Sequence, residues 1–460
     1  MQLRRRLLGA ATPAVMVLAY LMALASYLSK TPCTGAPYDD GGSSLNEANG
    51  HRLLCATDIV TLWRYRWIDL HWFPYIHGSL DVSGGPPGAL QQGAIEYPVI
   101  TGVFMWATAL PAHNSGQFFA YSAAALLPLA LLVGWQLSRL VGWRALVWAA
   151  APALVLYSVY NWDLLPVAWT LGAVLAWRRG RYGLAAAFLG LGAATKIYPG
   201  FFLLPLLVER LVARDRRGAL MVAGVGGGSW LAVNLPFMLI NFDGWFATYR
   251  FQAGRTADLT TNSIYFWGFP EWSPTMVNRF SATVIAALWL VALVAGFVLR
   301  HRHAGYPWIQ VSAAMLASFL AFNKVYSPQY ALWVLPFLAL IAVRWGWWLS
   351  FWFLDALLFI SLFQWYATGS DLMKQWASLG AWGKSVFLML LFIVVLVTPL
   401  ALRREAESSE PAEPEPPPAE VPERADREPA DPAESAKEDT LPSEPATPPR
   451  RTDEPEPAVV

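Results

Sequence analysis

The sequence predicts an all-α integral membrane protein with many crossings, and three observations carry that prediction. Hydrophobic residues fill 56% of the 460 positions. They gather in repeated apolar runs of roughly twenty residues, the length an α-helix needs to cross about 30 Å of hydrocarbon. Between the runs, basic residues collect in short loops, as they do on a cytoplasmic face. The net charge of +1 hides this asymmetry, because residues 403–460 hold 17 acidic and 7 basic side chains, leaving +11 on residues 1–402.

Arg4-Arg5-Arg6 precedes an apolar run from Leu7 to Leu28 that ends in SYLSK without a small-x-small cleavage site. It reads as a retained anchor with the N-terminus cytoplasmic. Residues 29–94 then form an external loop. Within it, Ile59, Leu62, Trp63, Trp67, Leu70 and Phe73 recur at three- and four-residue spacing, which predicts an interfacial helix over 59–75 that Pro74 stops. A Gly/Pro stretch, SGGPPG at 83–88, leads to Glu96-Tyr97-Pro98 at the mouth of the next span. Cys33 and Cys55, the only cysteines, flank this loop and would close about 22 residues as a disulfide; the alternative is two unpaired thiols.

Later spans are expected near 95–111, 117–138, 143–157, 164–177, 182–209, 218–240, 278–300, 306–322, 328–343, 345–366 and 382–402. RRGR (178–181), ERLVARDRR (209–217), RHRH (300–303) and RR (403–404) mark the cytoplasmic side. With RRGR and RDRR on one side, 182–209 must enter and leave by the same face, so it reads as a hairpin bent at KIYPG (196–200). Alternation does not close, because Arg139 and Arg144 suggest a cytoplasmic loop where simple counting from the first span gives an external one. One segment is therefore re-entrant or wrongly assigned, and the sequence does not say which. Residues 1–402 form the membrane domain. The tail, 403–460, holds 14 of the 34 prolines and reads as a disordered cytoplasmic extension.

Ionisable groups inside spans default to functional candidates, with structural pairing as the competing reading. Lys196 stands in GLGAATKIYPGFFLLP, where it would hold a phosphate or neutralise a buried carboxylate. Lys324, beside Gln329 in AFNKVYSPQYALW, repeats the pattern at a second Pro-broken junction. Asn161 and Asp163 mark a polar turn, where the plain reading of Asp163 is a helix cap ahead of Pro166. The loop 241–277 adds Arg250, Arg255, Asn262 and Trp267, a set suited either to a lid over an anionic headgroup or to an ordinary solvated loop. No Walker-type loop, HExxH, CxxC or GxSxG occurs, and no carboxylate cluster calls for a metal.

The ordered set Asp58, Tyr65, Pro74-Tyr75, Tyr97-Pro98, Asn161 and Asp163, Lys196 and Pro199, Asn262-Ser263 and Ser327-Pro328 resembles the polyprenyl-phosphate-dependent mannosyltransferases of glycosyltransferase family 87, of actinobacterial type. The resemblance covers roughly residues 1–400. It implies a GT-C fold of about 11–13 transmembrane helices, an external Asp58 as catalytic base, a polyprenyl-phosphate sugar as donor and an inverting transfer to an envelope glycolipid or glycan. It implies no cofactor and no metal, and no nucleic-acid partner is expected. Lys196, with Lys324 or Arg250, would hold the donor phosphate, while Glu96, Tyr97, Asn161, Asp163, Asn262 and Gln329 would contact substrates. Family members often carry a His shortly after the Ser-Pro, where this chain has Gln329 and Tyr330. Two other classes compete. A transporter or flippase of lipid-linked sugars would also carry intramembrane lysines but has no need of an external base, and a scaffold would explain the acidic tail but not the lysines.

Overall fold

The structure is a computed structural model that describes residues 2–34, 50–85, 87–303 and 305–402, with side chains from residue 11 onward. The predicted tail lies outside the described residues. Among the described residues, six helices are long and apolar enough to cross a membrane, so the chain is a multi-pass membrane protein. Their outward faces are apolar, as at Leu220 and Leu239, which are 74% and 77% exposed. That inverts the pattern of a water-soluble surface and suits a lipid solvent. The described strands are one small antiparallel pair, β1 (Ser79–Asp81) and β2 (Ala89–Gln91), in register at Leu80 and Leu90.

The first helix, α1 (Gln2–Lys30), leads to a disulfide between Cys33 and Cys55 with Cα atoms 5.7 Å apart. Beyond it, α2 (Asp58–Tyr65) buries Ile59, Val60, Leu62 and Trp63. The helix predicted over 59–75 therefore stops ten residues early. Trp67 and His71 take left-handed backbone angles around a 3-10 turn at Ile68–Leu70, and Tyr75 is left-handed as well. These turns spend the later apolar residues differently from a helix: Ile68 is buried, Trp67, Leu70 and Phe73 face outward, and the buried Tyr75 hydroxyl donates to the carbonyl of Tyr97 at 2.7 Å.

Next comes α3 (Val99–Ala109), which does not cross. At its start Ile100 N–H and Thr101 Oγ1 donate to the carbonyls of Ala194 and Thr195. At its end the Trp106 indole donates to His71 O, while His71 Nε2 meets Ala112 O, each at 3.1 Å. Both ends are thus tied to one neighbourhood, and eleven residues rise only about 16 Å. The second full crossing is α4 (Ser115–Val141), whose Phe119 stacks on Tyr27 near the end of α1. It delivers Arg139 to the opposite end of the bundle. The parity conflict in the sequence disappears, since the 95–111 run was the segment that does not span.

The expected 143–157 span is a crossing built from pieces: a 3-10 turn at Gly142–Ala145, α5 (Leu146–Ala149) and α6 (Pro152–Tyr157), separated where Pro152 cannot donate a helical hydrogen bond. Then α7 (Leu164–Arg178) returns, and Arg178 reaches Leu140 O at 3.3 Å. The 182–209 run is a hairpin of α8 (Tyr182–Ala193), α9 (Tyr198–Phe201) and α10 (Leu203–Val212). Gly192 and Gly200 let the two arms approach, because a Cβ on either would strike Pro199 or Ala193 within 3.0 Å. The carbonyls freed at this bend are those that α3 satisfies with its first-turn donors.

The remaining helices are α11 (Arg216–Ile240), α12 (Phe242–Gly254), α13 (Ile264–Gly268), α14 (Pro274–Leu299), α15 (Trp308–Phe322), α16 (Ala331–Leu340), α17 (Trp345–Thr368) and α18 (Asp371–Val397). Much of the predicted 241–277 loop is helical. The last helix starts eleven residues before the predicted span, capped by Ser370. Contacts fix the two ends. Asn241 Nδ2 donates to Ile76 O and Gly78 O, and the Tyr366 hydroxyl donates to Leu259 O, at the α2 end. Arg210 lies over the Tyr182 ring, His303 Nε2 meets Leu396 O, and Arg144 donates to the carbonyls of Leu338, Ala339, Ile341 and Val343 at the other, arginine-rich end. Arg144 thereby caps the C-terminus of α16.

The length of α7 sets how deep the polar residues at its start lie. Its 15 residues span about 22 Å, short of a hydrocarbon layer of about 30 Å. Asp163 at its N-terminus therefore sits several ångströms below the far surface, roofed by α2, α3 and α12.

Candidate active site

Asp58 is the first residue of α2, and its position is set twice. The Thr57 hydroxyl caps the helix by accepting from Val60 N–H at 3.1 Å, and Asp58 N–H donates to Tyr160 O at 3.1 Å. One carboxylate oxygen, Oδ2, accepts from Asn161 Nδ2 at 2.6 Å and from Gln329 Nε2 at 3.2 Å. Asn161 is fully committed: Nδ2 also reaches the Tyr97 hydroxyl at 2.7 Å, and Oδ1 accepts from Trp162 N–H at 2.6 Å and from Lys196 Nζ at 3.4 Å. Gln329 is aimed by Ser327, whose hydroxyl donates to Gln329 Oε1 at 2.5 Å.

Behind this layer lies a buried ion pair. Lys196 Nζ donates to Asp163 Oδ1 at 2.7 Å, and the Trp333 indole donates to the same oxygen at 2.7 Å. The ammonium also lies 5.3 Å from the Tyr97 ring centre, 5.6 Å from Tyr330 and 5.4 Å from Trp333, a cage of ring faces that suits a cation. The expected capping role of Asp163 is not what the structure shows, since its side chain makes no cap bond and turns to Lys196 and Trp333 instead. Of the two readings of Lys196, neutralising a buried carboxylate is the contact present.

Burial pushes the Asp58 carboxyl up to about 6. The Asn161 hydrogen bond and the Lys196 charge pull it back, whereas Glu96 and Asp163 push it further up. A carboxylate in that range is a better match to proton transfer near neutral pH than an exposed aspartate.

Asp58 opens on a cavity of about 580 Å³ whose walls include Glu96, Tyr97, Asn161, Lys196, Arg255, Asn262 and Gln329. A second chamber of about 280 Å³ shares Glu96, Tyr97, Lys196, Gln252 and Tyr330 and adds Lys324. Glu96 is held by Arg66, whose Nε donates at 2.9 Å. Asn262 adopts a left-handed backbone (φ 49°), which brings its side chain toward the Tyr366 hydroxyl at 3.4 Å. Lys324 donates to Ala253 O at 2.6 Å and Asn278 Oδ1 at 2.8 Å.

Arg250 is the candidate the structure does not bring in. It sits exposed on α12 and lines neither chamber, whereas Arg255, just past the end of that helix, lines the larger one. Arg255 is bonded to the Thr260 hydroxyl at 3.1 Å. Burial, followed by the charge of Arg255, lowers Lys324 to about 8. Sequence reasoning named Arg255 only as part of a loop, and it missed Trp333, Tyr160 and the buried Asp355–Lys384 pair between α17 and α18. An Asp and a Lys within otherwise apolar runs were the available signal for that pair.

Fold and site together define a polytopic helical membrane protein with a carboxylate-bearing polar cavity just below one membrane surface. The family model described as Glycosyltransferase family 87 matches residues 96–323. That stretch holds Asn161, Asp163, Lys196, Arg255 and Asn262 but not Asp58. Among solved structures, the chain is similar to the crystal structure of ArnT from Cupriavidus metallidurans bound to undecaprenyl phosphate, with 15% identity over 84% of this chain and 77% of that one and a TM-score of 0.41. None of the curated proteins matches.

Proposed function

We propose that the protein is a membrane glycosyltransferase that moves a mannosyl residue, or another pentose or hexose, from a polyprenyl-phosphate donor to an envelope glycolipid or glycan. The observation that carries this reading is Asp58: a carboxylate raised to about 6, held on one oxygen by Asn161 and Gln329, facing a cavity with a basic wall. The family-model match over 96–323 supports the same reaction class.

In the reaction, Asp58 takes the proton of the acceptor hydroxyl as its oxygen bonds to the anomeric carbon. The bond from that carbon to the phosphate oxygen breaks, and its electron pair leaves with the polyprenyl phosphate. Attack from the face opposite the leaving group inverts the anomeric centre. The departing phosphate carries its charge to Arg255 and Lys324, whose mutual repulsion an anion relieves. Lys196 lines both chambers, but its first partner is Asp163, so it orders Asn161 and through it Asp58. Placement of the site several ångströms below the surface suits a donor whose polyprenyl chain stays in the bilayer. The α2 end is read as external to the plasma membrane, with the N-terminus and the tail cytoplasmic.

Membranes containing the full chain, given labelled polyprenyl-phospho-mannose and an envelope lipid extract, should release polyprenyl phosphate and label the extract. The same membranes with Asp58→Asn should do neither. Movement of intact donor across sealed vesicles without bond cleavage would replace this reading with transport.

A further inference from the structure

The bundle carries a second elongated recess, remote from Asp58. It lies between α4, α7 and α8, has a volume of about 340 Å³, and follows α7 from Leu165 to Arg179. Its floor is α7, kept low at Gly172, where a Cβ would stand 3.2 Å from the Phe188 ring. The walls are apolar, with Leu132 and Leu184 partly exposed along the rim. Arg179 and Arg181 form its mouth at the arginine-rich end, about 24 Å of helix away from Asp163.

We propose that this recess is a binding site for one anionic phospholipid of the leaflet at the arginine-rich end. An acyl chain lies along α7, and the phosphate, with the glycerol esters next to it, bridges Arg179 and Arg181. Arginine suits the phosphate by its planar donor fork. A chain seated in the recess replaces mobile lipid with fixed contacts on three helices, two of which, α7 and α8, lead directly to Asp163 and Lys196. The site is independent of the glycosyl-transfer reading and would stand if that reading fell.

The test is native mass spectrometry of the delipidated full chain in neutral detergent, titrated separately with phosphatidylglycerol, phosphatidylcholine and inorganic phosphate. One phosphatidylglycerol should bind roughly thirtyfold more tightly than phosphatidylcholine, the preference expected of two cationic side chains facing an anionic lipid. Arg179→Gln with Arg181→Gln should erase the preference while leaving weak binding of both lipids. Leu184→Trp, at a partly exposed rim position where a larger ring fills the recess without entering the core, should weaken both. Equal affinity for the two lipids in the wild-type chain overturns the proposal. So does a preference that survives the double arginine variant, or displacement of the lipid by inorganic phosphate at matched concentration, which would reduce the site to an anion contact.

Discussion

Asp58 has its chemistry because the fold holds an acid where ionising is unfavourable. Its folded-state value, about 6, lies above the ordinary 3.8, so between roughly pH 4 and 6 the folded protein binds protons that the unfolded chain has released. Stability from this residue is therefore highest below pH 4, falls as pH rises through 6, and stays at the lower level above it. Asp58→Asn removes the charge and keeps an oxygen for Asn161. It should melt higher than wild type at pH 7.5, with the gap narrowing as pH falls through 6 and closing below about pH 4 in a differential scanning fluorimetry series. The same variant should lose 10²–10⁴-fold in transfer rate, the usual worth of a general base. A variant that is both less stable and still active would make Asp58 structural. Wild-type kcat/KM should rise with pH through about 6 and then level, because only the ionised form accepts a proton. At this scale the sequence was legible where an ionisable residue broke an apolar run, as at Lys196. It was not legible where partner choice depended on three-dimensional placement: nothing local says that Lys196 meets Asp163, or that Arg255 rather than Arg250 turns inward.

Short elements carry the site, and their lengths explain its depth. The bend at 194–197 leaves carbonyls open, and α3 answers them with Ile100 and Thr101, so these two segments are each other's end caps. Lys196→Met should strand the buried Asp163 and cost about 3–5 kcal/mol, read as a large fall in melting temperature. Adding Asp163→Asn should recover most of it, which a loss of phosphate binding alone would not do. The disulfide that ties the end of α1 to the start of α2 closes 22 residues, a constraint worth roughly 3 kcal/mol in the chain-entropy account. A reducing agent should therefore lower the wild-type melting point but leave a Cys33→Ser, Cys55→Ser variant unchanged. Hydropathy found most long helices to within a few residues because both their packed faces and their lipid-facing faces are apolar. It overran on 59–75, where a helical repeat of aromatic residues is used partly by left-handed turns. It also began α18 too late, because Asp371, Lys374 and Gln375 make its first turns polar.

Across the whole molecule, the decisive proportion is the mismatch between a helix of about 22 Å and a membrane of about 30 Å. It sinks the polar cavity into one leaflet and leaves room above for α2, α3 and α12. Composition announced the bilayer and the basic loops announced its sides. The half-depth elements were hidden, since an apolar run does not declare whether it passes through a membrane or rests within it.

The shortness of α3 also bears on how the chain is made. As residues 99–109 leave the ribosome they present an apolar stretch too short to serve as a stop, so the insertion machinery should let them pass and take α4 as the second topogenic segment. The orientation of everything downstream then depends on α4 and the arginines that follow it. Reporter fusions read this directly. A periplasm-active phosphatase joined after Thr34 and one joined after Ala112 should both be active, and one joined after Gly142 should be silent. Lengthening α3 by six to eight leucines should turn it into a true stop, silence the fusion at Ala112 and set the newborn chain in conflict with Arg139 and Arg144.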